Sequence, residues 1–443
     1  MKKPMITINL MNLFILFLIF IPYEASAQPY TTLVAPVKKD AATSLYTIIL
    51  NSNERYVVDL SAPFSWQRCP LPNYRPVACM STECIQAQYL LSPSNCLLPY
   101  TKPTRRPCTC MVTPINPRTE SCSLAQLISI NLTISWTNGA NPTTKITFSD
   151  RYLSCAPASL FNSLPRGIVG LASLSWAPLA LPPQFSPPLL GVSRKFAMCL
   201  PSTSSGNGVI FFGDGPYNLL PPTKFSLCFP SSGLGKLSIG GPFSSTISTM
   251  SKSLKATPLI VNPVSTAPAF TVGDPSDEYF IDVKSIRVGR ETLSVKNSYF
   301  SIDKDGVGGT KFSTIQNFTA LHNSIYKPLT RAFTKAASDM KIKSVAAVEP
   351  FRACFSSDSI SRTPAGPSVP TIDLVLPGND IYWRIDGANS MVEVDERRMC
   401  LAFVDGGSNP RTSVVIGAHQ LEENFLEFDL VSSQLKFSSS LLV

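Results

Sequence analysis

The sequence predicts an all-β fold of packed sheets with a few short helices, and three observations carry that expectation. Proline supplies 39 of the 443 residues. It removes a backbone donor and breaks helix interiors, so a chain this rich in it favours short strands and fixed loops. The readable apolar periods are mostly those of strands. Hydrophobic residues make up 44% and charged residues 15%, which supports a large core and excludes global disorder. The length implies two or three domains, at roughly 100–200 residues each.

In chain order, the first segment reads as an export signal. Lys2 and Lys3 precede an apolar run from Leu10 to Pro22, and Ala25-Ser26-Ala27 forms a small-residue cleavage site, so Gln28 begins the mature chain. The run is too short for a membrane span and no second candidate follows. Tyr46 to Leu50 and Arg55 to Leu60 flank the polar turn Asn51-Ser52-Asn53-Glu54 and predict a hairpin. Lys195 to Ser202 (KFAMCLPS) is echoed by Lys224 to Ser231 (KFSLCFPS), each copy leading to a glycine-bounded apolar stretch. The first of these, Gly208 to Gly213, reads as a buried strand. Ile281 to Lys284 and Leu426 to Leu430 alternate apolar and charged residues, the period of half-buried strands. One helix is expected over Tyr326 to Met340, with Leu329, Phe333 and Ala336 on one face and Lys327, Arg331 and Lys335 on another.

The twelve cysteines behind a signal segment imply up to six disulfides. Seven lie between Cys69 and Cys122, which makes that region stapled and loop-rich. A zinc reading of Cys108-Thr109-Cys110 lacks a second ligand pair. Asn131-Leu132-Thr133 and Asn317-Phe318-Thr319 are sequons suited to N-linked glycans on a secreted protein. Removing Lys2, Lys3 and Glu24 with the leader takes the formal charge from +9 to +8. A basic surface suits an acidic partner, and it also serves solubility.

The chemistry-bearing residues are few. His322 and His419 are the only histidines, and neither sits in a nucleophile-elbow context. No phosphate-binding loop, nucleic-acid motif or histidine-based metal motif is present, so no cofactor is expected. The informative stretch is Val57-Val58-Asp59-Leu60-Ser61-Ala62-Pro63-Phe64-Ser65-Trp66, followed by Cys69. It resembles the first active-site loop of pepsin-like aspartic proteases, in which a hydrophobic strand enters Asp-Thr-Gly-Ser and a tryptophan follows seven residues after the aspartate. Leu60, Ser61 and Ala62 replace Thr-Gly-Ser, which removes a hydroxyl that bonds across the two loops. Gly308-Gly309-Thr310-Lys311-Phe312-Ser313-Thr314-Ile315-Gln316 resembles the second loop, with Ser313 on the second aspartate. The resemblance implies that Asp59 and Ser313 are vestigial, because the reaction needs two carboxylates sharing one proton. Asp303 and Asp305 lie out of register for a substitute.

Further matches extend the resemblance over nearly all of the mature chain. They include Gly167 to Ala172, Tyr279 to Thr310, Gly387 to Met391, Val404 to Gly407 and Val415 to Asn424. Together they are similar to the plant extracellular group of dermal glycoprotein, basic 7S globulin, and the xylanase and xyloglucan-endoglucanase inhibitors. This implies a bilobal pepsin-like fold, with a leader at 1–27, one β lobe over 28–250 that includes the duplicated segment 195–243, and a second over 251–443. It implies secretion to the apoplast, no proteolysis, and inhibition of microbial glycoside hydrolases, whose active sites carry paired carboxylates. A cation can plug such a cleft, and the candidates are Arg411 and Arg331. Cys354 and Cys400 match the group's C-lobe pair. The chain ends without the cysteine-bearing tail of its relatives and has an extra Cys228, which suggests a Cys199–Cys228 bond. The alternatives are a storage-like or signalling-peptide-binding globulin and, remotely, an active aspartic endopeptidase.

Overall fold

The computed structural model describes residues 31–69, 74–88, 108–139, 142–215, 217, 254–266, 275–439 and 441. The leader, the second copy of the duplicated segment with Cys228, and the expected lobe boundary at 250/251 lie outside the described residues.

The fold is mainly β, as the composition predicts, and its spine is an antiparallel run. Thr32–Lys39 pairs with Gly208–Phe212, which pairs with Lys195–Cys199, then Leu426–Asp429, Gln434–Phe437, Lys255–Ile260 and Phe280–Ile281. Strands far apart in sequence thereby meet at the centre. Gly208–Phe212 is buried throughout, as its uninterrupted apolar run implies. Phe196 stacks on Phe428 with ring centroids 4.7 Å apart, joining the N-terminal and C-terminal parts of the chain.

Leu426–Asp429 departs from the half-buried expectation, since all four residues are buried. Its acids tolerate this because each is paired. Glu427 meets Lys436 at 2.8 Å and Asp429 meets Lys195 at 3.1 Å. The other alternating segment is a strand only at Phe280–Ile281. Its alternation of burial continues to Lys284, but residues 282–284 lie outside any strand.

The Tyr46–Leu50 and Glu54–Asp59 hairpin forms as predicted, with Thr47 opposite Val57 and Leu50 opposite Glu54. Asn51 and Ser52 turn it in the left-handed region, at φ 47° and 74°; asparagine is among the side chains that tolerate this conformation best.

Asn323–Asp339 is the long helix, starting three residues earlier than the periodicity suggests. His322 caps it, its Nδ1 accepting from the Ser324 N–H at 3.0 Å. Leu329 and Phe333 are buried as expected, with Ile325, Tyr326 and Ala337; Ala336 is only partly buried. Lys327, Arg331 and Lys335 are exposed.

Cys354 and Cys400 oppose each other on paired strands and form a disulfide. Cys69–Cys155, Cys79–Cys108 and Cys84–Cys110 are also bonded. Cys108 and Cys110 being disulfide-bonded removes the zinc reading. Cys122 and Cys199 are disulfide-bonded as well.

Candidate functional site

Two strand crossings of the same design hold the residues that the sequence singles out. Glu54–Asp59 runs parallel to Gly170–Ser173, and Trp66–Arg68 returns antiparallel to the same strand. Thr310–Phe312 runs parallel to Val414–Ile416, and Thr319–Leu321 returns antiparallel to it. Both crossings need a glycine where backbones touch. A Cβ on Gly170 would lie 2.0 Å from the Trp66 carbonyl oxygen, and one on Gly417 would lie 2.4 Å from the Phe318 carbonyl carbon. Asp59 ends the first entering strand and Ser313 follows the second, so the two occupy equivalent places in the topology.

The loops that follow are tied together. The Thr314 hydroxyl donates to the Val58 carbonyl at 2.7 Å, both residues being buried. The first loop has lost its hydroxyl at Leu60, and the second loop supplies a cross-loop hydroxyl of its own. Asp59 is 3% exposed, and its Oδ1 accepts from the Ser61 N–H at 2.9 Å and the Ser61 hydroxyl at 2.7 Å. The Ser313 hydroxyl is turned to its own loop, where it accepts from the Ile315 and Gln316 N–H groups at 3.2 and 3.0 Å.

The space beside Asp59 is small. It is a cavity of about 30 Å³ lined by Asp59, Ser61, Phe64, Trp66, Pro114 and Ile115 among others. Ile315 reaches from the second loop into the first crossing, 7% exposed, where it joins Leu45, Val57, Trp66, Leu160 and Leu171 in one apolar cluster. The segment over Asp59 is pinned as well. Trp66 Nε1 donates to the Ile115 carbonyl at 3.1 Å, and Arg118 Nη1 donates to the Ile315 carbonyl at 3.2 Å.

Electrostatics follow from this enclosure. Burial pushes the Asp59 carboxyl above the ordinary aspartate range; the Ser61 hydrogen bonds oppose the shift, Glu278 adds to it, and Lys311 opposes it. Glu278 is 4% exposed and binds Lys311 at 2.6 Å, with Ser276 and Thr266 also donating to it. Burial acts to raise Glu278, but Lys311 and these donors hold it below the ordinary glutamate range. A single protonatable aspartate cannot act at once as base toward water and acid toward a carbonyl. Among the described residues, no group of three or more metal-ligating side chains is gathered.

The remaining predicted residues are dispersed. Arg411 is exposed, its guanidinium 3.5 Å from the Asp305 carbonyl. Arg331 lines a separate groove of about 970 Å³ with Lys327, Arg352 and Asp405. Arg411 is not part of that lining. The loop carrying Arg411 touches the helix start through Asn323, which bonds Gly407 and Asp405. Asp303 is exposed and caps its own turn, accepting from the Asp305 and Val307 N–H groups. Asn131 is exposed on the strand Ala125–Thr137, whereas Asn317 is partly buried with its Oδ1 enclosed.

Sequence reasoning missed the Glu278–Lys311 pair and a second buried carboxylate. Glu422 binds Lys39 at 2.6 Å, Tyr46 at 2.5 Å and His419 at 3.3 Å. These partners lie up to 383 residues away, and no local pattern announces them. Thr314, by contrast, was legible as a hydroxyl one residue after Ser313.

The comparisons with known proteins agree with this geometry. The xylanase inhibitor N-terminal family matches residues 51–214, and the xylanase inhibitor C-terminal family matches 278–439. A probable aspartic proteinase, GIP2, of Nicotiana benthamiana is 39% identical over 95% of this chain and 91% of its own. The crystal structure of EDGP superposes with a TM-score of 0.80 at 40% identity, covering 95% of this chain and 97% of that one. That of conglutin gamma, a basic 7S globulin from lupine seeds, gives 0.69 at 29% identity over 93% and 96%. With paired strand crossings of one design and both family halves in place, the chain belongs to the xylanase-inhibitor family of pepsin-like proteins.

Proposed function

We propose that this protein is secreted, does not cleave peptides, and binds and inhibits a microbial glycoside hydrolase of the xylanase or xyloglucan-endoglucanase type in plant defence. The observation that carries the reading is how little space the first crossing leaves beside Asp59. A cavity of about 30 Å³ beside Asp59 has room for little more than water and is too small for a peptide, and in this reading Ser313 takes the place of the second carboxylate. What remains is a disulfide-stapled β scaffold with exposed cations. Arg411 on its proline-bearing loop and Arg331 on the helix Asn323–Asp339 are the proposed plugs. Either can set a planar fork against the paired carboxylates of a glycosidase. The two lobes at 28–250 and 251–443, cleavage after Ala27, and glycans at Asn131 and Asn317 belong to the same proposal.

The test is titration of the mature protein into a panel of microbial xylanases and xyloglucanases, following polysaccharide hydrolysis. Stoichiometric loss of activity against one family supports the reading. Arg411→Ala and Arg331→Ala should each weaken it by about tenfold or more. No effect from folded protein refutes it and favours the second reading, a seed-type or peptide-binding globulin, which the likeness to conglutin gamma over most of the chain favours. Digestion of a generic protein at acid pH, blocked by an aspartic-protease inhibitor, would instead establish a protease.

A further inference from the structure

We propose that the face formed by Ser285–Val288, Ile372–Val375 and Tyr382–Ile385 is a second binding site, for the carboxylates of an acidic oligosaccharide of the polyuronate type. The three strands are adjacent in one antiparallel sheet, with Arg287 opposite Asp373 and Asp373 opposite Arg384. This cross-strand row is fixed. Asp373 is 1% exposed, and it accepts from Arg384 Nε at 2.8 Å and from terminal guanidinium nitrogens of Arg384 and Arg287 at 3.0 and 3.1 Å. One buried carboxylate thus holds two guanidinium groups in place, each about a third exposed, at 33% and 38%.

More positive charge is gathered than this carboxylate neutralises. Lys255 Nζ stands 3.6 Å from the Tyr382 ring centroid, and the Arg287 and Arg384 guanidinium carbons stand 5.0 and 5.1 Å from the same ring. Arg290 is exposed at the rim of the same groove, whose volume is about 640 Å³, and Asp380 is the second acid. Four cations against these two carboxylates, with Asp386 also acting on Arg384, leave a net charge of +1. Lys255 and Arg290 have no carboxylate partner among the described residues. Crowding like charges costs stability, and an incoming anion removes that cost.

The lining also selects the kind of anion. Guanidinium forks match planar carboxylates. The groove is wider than one inorganic ion needs, and its open, polar lining suits a chain bearing regularly spaced acids. Apart from Gly289 and Tyr382 the described lining is all charged, which is a poor seat for the aromatic anchor of a protein interface. The Tyr382 ring is already approached by three cations, so it offers no free face for stacking a nucleobase. The site is separate in its lining residues from both the Asp59 cavity and the Arg331 groove, so it stands or falls independently of hydrolase inhibition.

The experiment is calorimetric titration of the mature protein with a ten-unit, non-esterified oligogalacturonate at low salt. The wild type should bind, and added salt should weaken binding. The double variant Lys255→Ala/Arg290→Ala leaves the Arg287–Asp373–Arg384 row intact and should weaken binding by about tenfold or more. Arg290→Glu, at an exposed position, should weaken it in the same direction and serves if the double variant does not fold. Lys327→Ala/Arg331→Ala in the other basic groove should leave it unchanged, and a fully methyl-esterified oligomer should not bind. The proposal is overturned if the wild type does not bind, if both groove variants lose affinity equally, if the esterified oligomer binds as well, or if single-stranded RNA or an acidic peptide outcompetes the uronate.

Discussion

Ile315 offers the sharpest check on how the two loops are held together. Its side chain leaves the second loop and is 7% exposed inside an apolar cluster made by the first crossing. Ile315→Ala removes three carbons, about 2.4 kcal/mol of transfer free energy at roughly 0.8 kcal/mol per buried carbon. A cavity term adds to this, because Trp66, Val57 and Leu171 sit on paired strands and cannot collapse far. The sum, about 3–4 kcal/mol, lies within the range of about 2–5 kcal/mol for such truncations. Ile315→Val should cost about 0.5–1.5 kcal/mol. Guanidinium unfolding followed by tryptophan fluorescence measures both, and Trp66 in the same cluster reports locally. An alanine variant within about 0.5 kcal/mol of wild type, the scale of a surface substitution, would refute the idea that this side chain locks the loops together. On the proposed reading Ile315→Ala should also show no proteolysis, since truncating an apolar side chain supplies no second carboxylate.

Three further outcomes follow from the buried polar groups. Thr314→Val keeps the shape but leaves the Val58 carbonyl without its cross-loop donor, which should cost about 1–3 kcal/mol by the same unfolding assay. Asp59 has its carboxyl pushed up by burial, so the folded state holds a proton that the unfolded state releases. Stability linked to it is therefore fully present below the ordinary aspartate range and lost as pH rises through the raised value. Asp59→Asn, which can still accept from Ser61, should be more stable than wild type at neutral pH, with the gap closing below that range; an equal gap at all pH values would sink this reading. Glu422 runs the other way. Burial acts to raise it, but His419 and Lys39 hold it below the ordinary glutamate range, so its contribution is present above that range and lost as pH falls through the lowered value. Glu422→Gln should cost about 3–5 kcal/mol at neutral pH and flatten the acid limb of the stability curve.

Strand content, the first hairpin and the Asp59 loop could be read along the chain because they are local. Two β-branched runs around Asn51-Ser52-Asn53 specify a hairpin through backbone sterics alone, and Gly208–Phe212 announces its burial by having no polar residue. The Leu426–Asp429 strand misled for the converse reason. Its acids alternate as if solvent-facing, and only Lys436 and Lys195, brought from neighbouring strands, make their burial tolerable. The helix start was misplaced because a histidine cap carries a weak signal beside Ser, Thr, Asp or Asn.

What the sequence determined by itself is what near neighbours and residue chemistry decide: a β-rich chain, twelve cysteines, an aspartate at one loop and a serine at its counterpart. Beyond Cys354–Cys400, tertiary structure decided which cysteines pair among the described residues. It also decided that Thr314 supplies a cross-loop hydroxyl, that Ile315 packs into the first crossing, and that Arg287, Asp373 and Arg384 form one row. Each of these joins residues far apart in the chain. Burial and hydrogen bonding act through space, so their partners are fixed only when the strands have crossed and the sheet register is set.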